Sequence, residues 1–77
     1  MNTIKRYYIT GLVWDGYKYE KEVIAFGSDW KKIADEFQNK TLHIDMPRIE
    51  LYEEICEVEN GLIQNVVKTK FIDMRVK

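Results

Sequence analysis

Seventy-seven residues contain one cysteine, one proline, one histidine and four glycines, and each scarcity excludes something. A lone Cys56 cannot close an internal disulfide, which argues against a small secreted scaffold held by staples. A single histidine, His43, leaves no second imidazole for a zinc site. No two glycines lie within four residues of each other, so a glycine-rich phosphate loop is excluded by spacing. No stretch approaches 18 apolar residues, the least a membrane-spanning helix needs. The opening Met-Asn-Thr-Ile-Lys-Arg has no apolar run behind its basic pair, so no secretory signal is expected. Charge of one sign is absent too. Twelve Lys and Arg face thirteen Asp and Glu, a formal net charge of −1, which gives nucleic acid or an anionic membrane no global support as main partner. The expectation is a cytoplasmic chain of one small domain without a membrane partner.

What is present is 45% apolar, with five Tyr, three Phe and two Trp, a globular composition. Residues 3–14 and 17–26 are rich in the Tyr, Ile, Val and Trp that suit a pleated, half-buried surface. Asp15-Gly16 lies between them and reads as a two-residue type I′ hairpin turn. That turn would set Trp14 opposite Tyr17, Leu12 opposite Tyr19 and Tyr8 opposite Val23. The other face would carry Tyr7, Ile9, Val13, Ile24 and Phe26. Ser28 follows as a candidate N-cap. Trp30, Ile33, Ala34 and Phe37 then form one helical stripe, with Lys31, Lys32, Asp35 and Glu36 on the other side. The pattern fades at Asn39-Lys40, and Pro47 disfavours helix at Met46.

Residues 48–58 are two-valued. Leu51, Ile55 and Val58 have helical spacing, but a helix would place Glu50/Glu54 and Glu53/Glu57 as like-charge neighbours. A strand leads instead into Asn60-Gly61, a second favoured hairpin pair. Its register would set Glu53 opposite Lys68, Ile55 opposite Val66, Cys56 opposite Asn65 and Val58 opposite Ile63. The electrostatics favour the strand. The apolar spacing of residues 62–76 drifts between faces, which predicts a bulge or bend near Lys68–Lys70. The expected fold is α+β in the order ββαββ, a four-stranded antiparallel sheet with one helix on one face.

Catalytic chemistry finds little to stand on. His43 has Asp45 beside it but no nearby Ser or Cys to activate. Cys56 sits among Glu53, Glu54, Glu57 and Glu59, the wrong neighbourhood for a thiolate. Residues 45–60 hold six acids against Arg48, yet on a strand Glu53 and Glu57 take one face and Glu50 and Glu54 the other, so they diverge. No enzyme activity, metal or other cofactor is expected.

The unaccounted feature is apolar surface. One helical stripe can cover one sheet face, while both faces of the first hairpin carry aromatic or aliphatic side chains. An exposed patch of that kind marks an interface, unless the loop at 40–47 and the last strand cover it. The expected function is therefore a non-enzymatic protein-binding module. Its candidate contact residues are Tyr8, Trp14, Tyr17 and Tyr19, with the acidic Glu50, Glu53, Glu54 and Glu57. Size, a Lys-, Ile- and Asn-rich composition and the lack of chemistry match the format of small phage or mobile-element proteins that occlude a host protein, the mode by which anti-CRISPR proteins act. Two alternatives accompany this expectation. One is an accessory nucleic-acid binder using Tyr7, Tyr8, Tyr17, Lys18 and Lys21 of the first hairpin. The other is a structural homo-oligomer, with a homodimer as its simplest form.

Overall fold

In the computed structural model, which describes residues 2–77, the chain runs β1 (Asn2–Trp14), β2 (Tyr19–Gly27), α1 (Trp30–Asn39), β3 (Arg48–Glu59) and β4 (Leu62–Val76). The four strands form one sheet in the order β2-β1-β3-β4, antiparallel at every junction. The fold is thus the α+β ββαββ arrangement, and residues 48–59 are strand, as the repulsion between their glutamates on a helix implies. No helix among the described residues is long and apolar enough to cross a membrane.

The first hairpin departs from its expected turn. A type I′ turn needs positive φ at both central residues. Asn60 (φ 55) and Gly61 (φ 78) meet that demand between β3 and β4, whereas in the first hairpin only Gly16 (φ 97) does. Its loop is Asp15–Lys18 instead. The Asp15 carboxylate accepts hydrogen bonds from the amides of Tyr17 (2.8 Å) and Lys18 (2.9 Å), and the Asp15 amide donates to the Lys18 carbonyl (3.0 Å). Those bonds hold the Asp15 carboxyl below its ordinary pKa. Trp14 therefore pairs with Tyr19 and not Tyr17, Leu12 with Lys21 and not Tyr19, and Thr10 rather than Tyr8 with Val23. Beyond that point β2 carries an extra residue, since Thr10 pairs with Val23 but Ile9 with Ala25. The bulge at Ile24 moves Phe26 to the face of Tyr8, opposite to the face its spacing predicts.

The helix starts one residue later than expected. Asp29, not Ser28, is the N-cap, and its carboxylate accepts the Lys32 amide at 3.3 Å. Ile33 and Phe37 of the stripe are buried, whereas Trp30 is half exposed and tilts against Tyr7 with ring centroids 5.0 Å apart. The far end of α1 is tied down by Arg75 on β4, whose Nη1 donates to the carbonyls of Phe37 (2.7 Å) and Lys40 (2.8 Å). Those carbonyls have no partner within the helix, so the guanidinium meets a need every helix end has.

The core lies between α1 and one sheet face: Ile9, Ile33, Phe37, Met46, Ile49 and Leu51, with Tyr7, Val13, Ile24, Leu42 and Ile72 around them. The loop 40–47 packs on this same side, where Met46 lies over Gly11. A Cβ at Gly11 would stand 2.9 Å from the Met46 sulfur. No helix or strand covers the opposite face, and the loop meets it at one end, where the Tyr19 hydroxyl donates to the Ile44 carbonyl and the Trp14 amide to the Asp45 carbonyl, so it does not screen the patch as a whole.

β4 bends more than once. Its pairing with β3 shifts at three places, leaving Gln64, Val67 and Ile72 as extra residues. Val58 faces Ile63 as expected, but Glu53 faces Lys70, Ile55 faces Lys68 and Cys56 faces Val66. Ten helical residues span about 15 Å, while fifteen strand residues span about 50 Å. The helix therefore covers only one end of the sheet, and the radius of gyration of 14.0 Å exceeds the roughly 11–12 Å of a compact chain this long.

Candidate functional site

The pairing registers sort the strand residues onto two faces. On the uncovered face β1 presents Ile4, Arg6, Tyr8, Thr10, Leu12 and Trp14, and β2 presents Tyr19, Lys21, Val23 and Phe26. β3 adds Arg48, Glu50, Tyr52, Glu54, Cys56 and Val58, and β4 adds Ile63, Val66, Phe71, Met74 and Val76. Of the fifteen large apolar side chains that are exposed, ten lie here, so the exposure is concentrated and not scattered. Phe26 is the most open of them at 78%, and Phe71 is 51% exposed.

The aromatic side chains of this face brace one another. Tyr8 stacks on Tyr52 with centroids 5.0 Å apart and planes at 15°, and Phe71 meets Tyr52 edge-on at 5.7 Å. Trp14 tilts against Tyr19 at 4.9 Å, and the Tyr19 hydroxyl donates to the Ile44 carbonyl at 2.9 Å. Aromatic pairs in such geometry contribute about 0.5–1.5 kcal/mol each beyond area burial. They also fix the rings in place, so the surface is preformed.

The charges of the face are spent internally. Arg6 Nε donates to Glu54 Oε2 at 2.6 Å. Lys21 reaches across β1 to Glu50 Oε1 (3.0 Å) and to the Tyr52 hydroxyl (3.0 Å), which in turn donates to Glu50 Oε2 (2.9 Å). Arg48 stands 3.6 Å from the same carboxylate. Burial alone would raise the Glu50 pKa. The hydrogen bonds from Lys21 and Tyr52, with the charges of Lys21 and Arg48, outweigh it and hold the carboxyl below its ordinary range. The Tyr8 phenol is pushed up, first by burial and then by the Glu54 charge. Beneath this cluster the Thr10 hydroxyl is buried without a hydrogen-bond partner.

Five of the eight residues singled out from sequence share the open face. Tyr8, Trp14, Tyr19, Glu50 and Glu54 lie on the open face, while Tyr17 projects from the turn, 92% exposed and apart from it. Glu53 and Glu57 lie on the helix side, where Glu53 faces Tyr7 and Lys70, and Glu57 accepts from Asn65 Nδ2 at 2.8 Å. The glutamates therefore form no single acidic surface. Phe26, Phe71, Met74, Val76, Ile4 and Ile63 were not expected on this face. Period-two reading misplaces Phe26 because of the Ile24 bulge, and the three bulges of β4 scramble its alternation.

Residues with chemical potential lie apart. His43 closes a small turn, its Nδ1 accepting the Asp45 amide at 3.3 Å, while Cys56 is fully buried on β3. Among the described residues no three His, Cys, Asp or Glu side chains group closely enough to hold a metal ion. A groove of about 710 Å³ runs between β2 and α1, floored by Ile24 and Ile33 and edged by Lys32 and Glu36. Comparison of the chain with known protein families, curated proteins and solved structures returns no match.

Proposed function

We propose that this chain is a non-enzymatic protein-binding module that acts by burying the open face of its sheet against a protein surface. The single observation that carries the reading is the concentration of ten exposed large apolar side chains on the one face that no element covers. A patch on that scale exceeds the few hundred Å² usual for soluble monomers. The pre-stacked Tyr8, Tyr52, Trp14 and Tyr19 are of the residue type most often found as binding hot spots. A module of this kind regulates or inhibits by occlusion, and a host protein met by a phage-type inhibitor is one such setting.

Nucleic acid fits the face less well. Arg6 and Lys21 are each bonded to a glutamate, so a phosphate would have to displace Glu54 or Glu50. The Tyr8 and Tyr52 rings stack on each other instead of standing free for bases.

The test is capture with the tagged protein from a bacterial lysate, with and without nuclease, repeated with Phe71→Glu and with Tyr17→Ser. Retention of defined proteins after nuclease, lost in Phe71→Glu and kept in Tyr17→Ser, is the expected result. Retention that vanishes with nuclease would overturn the reading in favour of nucleic acid.

A further inference from the structure

We infer that the occupant of the open face is a second copy of this chain, in a symmetric dimer whose sheets pack face to face with the helices outside. The inference rests on the protein-binding reading above and names the partner.

Area is the first argument. Four of the ten are aromatic side chains of roughly 150–250 Å² each and six are smaller, and at about half exposure they together present on the order of 1,000 Å². A stable interface needs about 800 Å² from each partner, so one copy supplies enough without help from loops. Two sheets packed this way stand about 10 Å apart with their inner side chains interdigitated.

Charge is the second. Arg6 and Glu54 neutralise each other, as do Lys21 and Glu50, within one protomer. A foreign partner of marked charge would find no unpaired opposite charge here, whereas a second identical face demands none. The one cation in excess, at Arg48, lies at the start of β3, nearly half exposed.

The edges supply the third. Self-association of a sheet by edge pairing requires a regular outer strand. β4 carries three extra residues and β2 one, and the edge of β1 that β2 does not reach is only residues 2–6, with Lys5 and Arg6 on it. The open face is the broad, largely apolar surface that remains.

The experiment is sedimentation of the wild-type chain between about 1 and about 300 µM, beside Ile4→Glu, Phe26→Glu and Tyr17→Glu. Ile4 presents its side chain on the open face opposite Cys56 of β3, and Phe26, on the other side of the face, is too exposed to matter for the monomer's fold. A wild-type dimer is expected, with its dissociation constant raised at least about 30-fold by either face variant and unchanged by Tyr17→Glu. Far-UV circular dichroism confirms that each variant is folded. A dimer that survives both face variants overturns the face assignment. A wild type monomeric throughout overturns the second copy. In that case capture of a lysate protein that is lost in Phe26→Glu leaves the protein-binding reading standing, and capture insensitive to Phe26→Glu removes that reading as well.

Discussion

Lys21 on β2 reaches over the whole width of β1 to place its Nζ 3.0 Å from Glu50 Oε1 on β3, tying together two strands that do not pair. Leu12 and Thr10 run beneath that bridge, and the Tyr52 hydroxyl joins both of its ends. The arrangement makes the three strands one electrostatic unit, and its stability depends on pH in a definite direction. The Glu50 carboxyl titrates below its ordinary range in the folded state, so its contribution is complete above the unfolded pKa and is lost as pH falls through the folded one. Lys21 is raised, first by the hydrogen bond with Tyr52 and then by Glu50, so its contribution is lost only at alkaline pH. The melting temperature should therefore fall as pH drops below about 4.5. Glu50→Gln should lower stability by about 1–2 kcal/mol at neutral pH and flatten that acid limb. A melting series from acid to neutral pH checks both.

Gly11 owes its place to Met46. A Cβ there would lie 2.9 Å from Sδ and 3.3 Å from Cγ of a methionine that is itself buried, with Ile24 Cδ1 at 3.4 Å on the other side. Gly11→Ala is thus expected to cost about 1–2 kcal/mol through overpacking, against the small gain alanine usually brings to a strand. The paired change Gly11→Ala with Met46→Ala should cost less than the two single costs added together. Chemical denaturation of the four chains closes that cycle.

The fold was legible because its signals were local. The Ile33–Phe37 stripe, the Asn60-Gly61 turn and the repulsion of Glu50 and Glu54 on a helix each act within a few residues, and each gave the right element. What escaped were the positions of single-residue insertions. The drifting apolar spacing of β4 signals a bulge near Lys68–Lys70, which the structure resolves into bulges at Val67 and Ile72, but those at Ile24 and Gln64 leave no such mark, and each alters which side chains share a face. Hence the open face was anticipated as an apolar excess on the first hairpin, with Tyr8, Trp14 and Tyr19 placed on it, while Phe26 and the whole contribution of β4 were missed. The Lys21–Glu50 bridge was illegible for a further reason. It joins residues 29 apart in sequence across an intervening strand, a distance no local pattern encodes.

Arg75 anchors the helix to the far strand from below. Its two bonds end on Phe37 and Lys40 carbonyls that would otherwise face a partly buried space. Arg75→Ala should cost about 1.5–3 kcal/mol, the range for hydrogen bonds from a charged donor, and Arg75→Lys should recover only part because an ammonium lacks the planar fork. Hydrogen exchange resolved along α1 should show early opening of its last turn in Arg75→Ala, with the first turn near Asp29 little changed.

The two hairpin turns predict opposite sensitivities. Asn60 holds φ 55 without being glycine, so Asn60→Ala should cost about 1–2 kcal/mol, and Asn60→Gly should be close to neutral. Tyr17, at the tip of the other loop, touches the turn only through its backbone amide. Tyr17→Ala should leave the melting temperature unchanged. Thermal melts of the three variants test the contrast.

The glutamates of β3 provide the sharpest functional separation, because they divide between the two faces while sharing one strand. Glu54 stands on the open face, bonded to Arg6 at 2.6 Å, whereas Glu53 and Glu57 stand on the helix side. Glu54→Lys puts a second cation beside Arg6 and leaves an unneutralised charge in the middle of the apolar surface, where desolvation on binding is costly. Partner binding should weaken by at least about tenfold, which is about 1.4 kcal/mol. Glu53→Lys and Glu57→Lys change net charge by the same amount but leave the open face untouched, so binding should stay within about twofold of the wild type. Sedimentation of the three variants, with circular dichroism to confirm equal folding, separates self-association through one face from attraction by net charge. Equal losses in all three would mean that charge and not the open face governs binding.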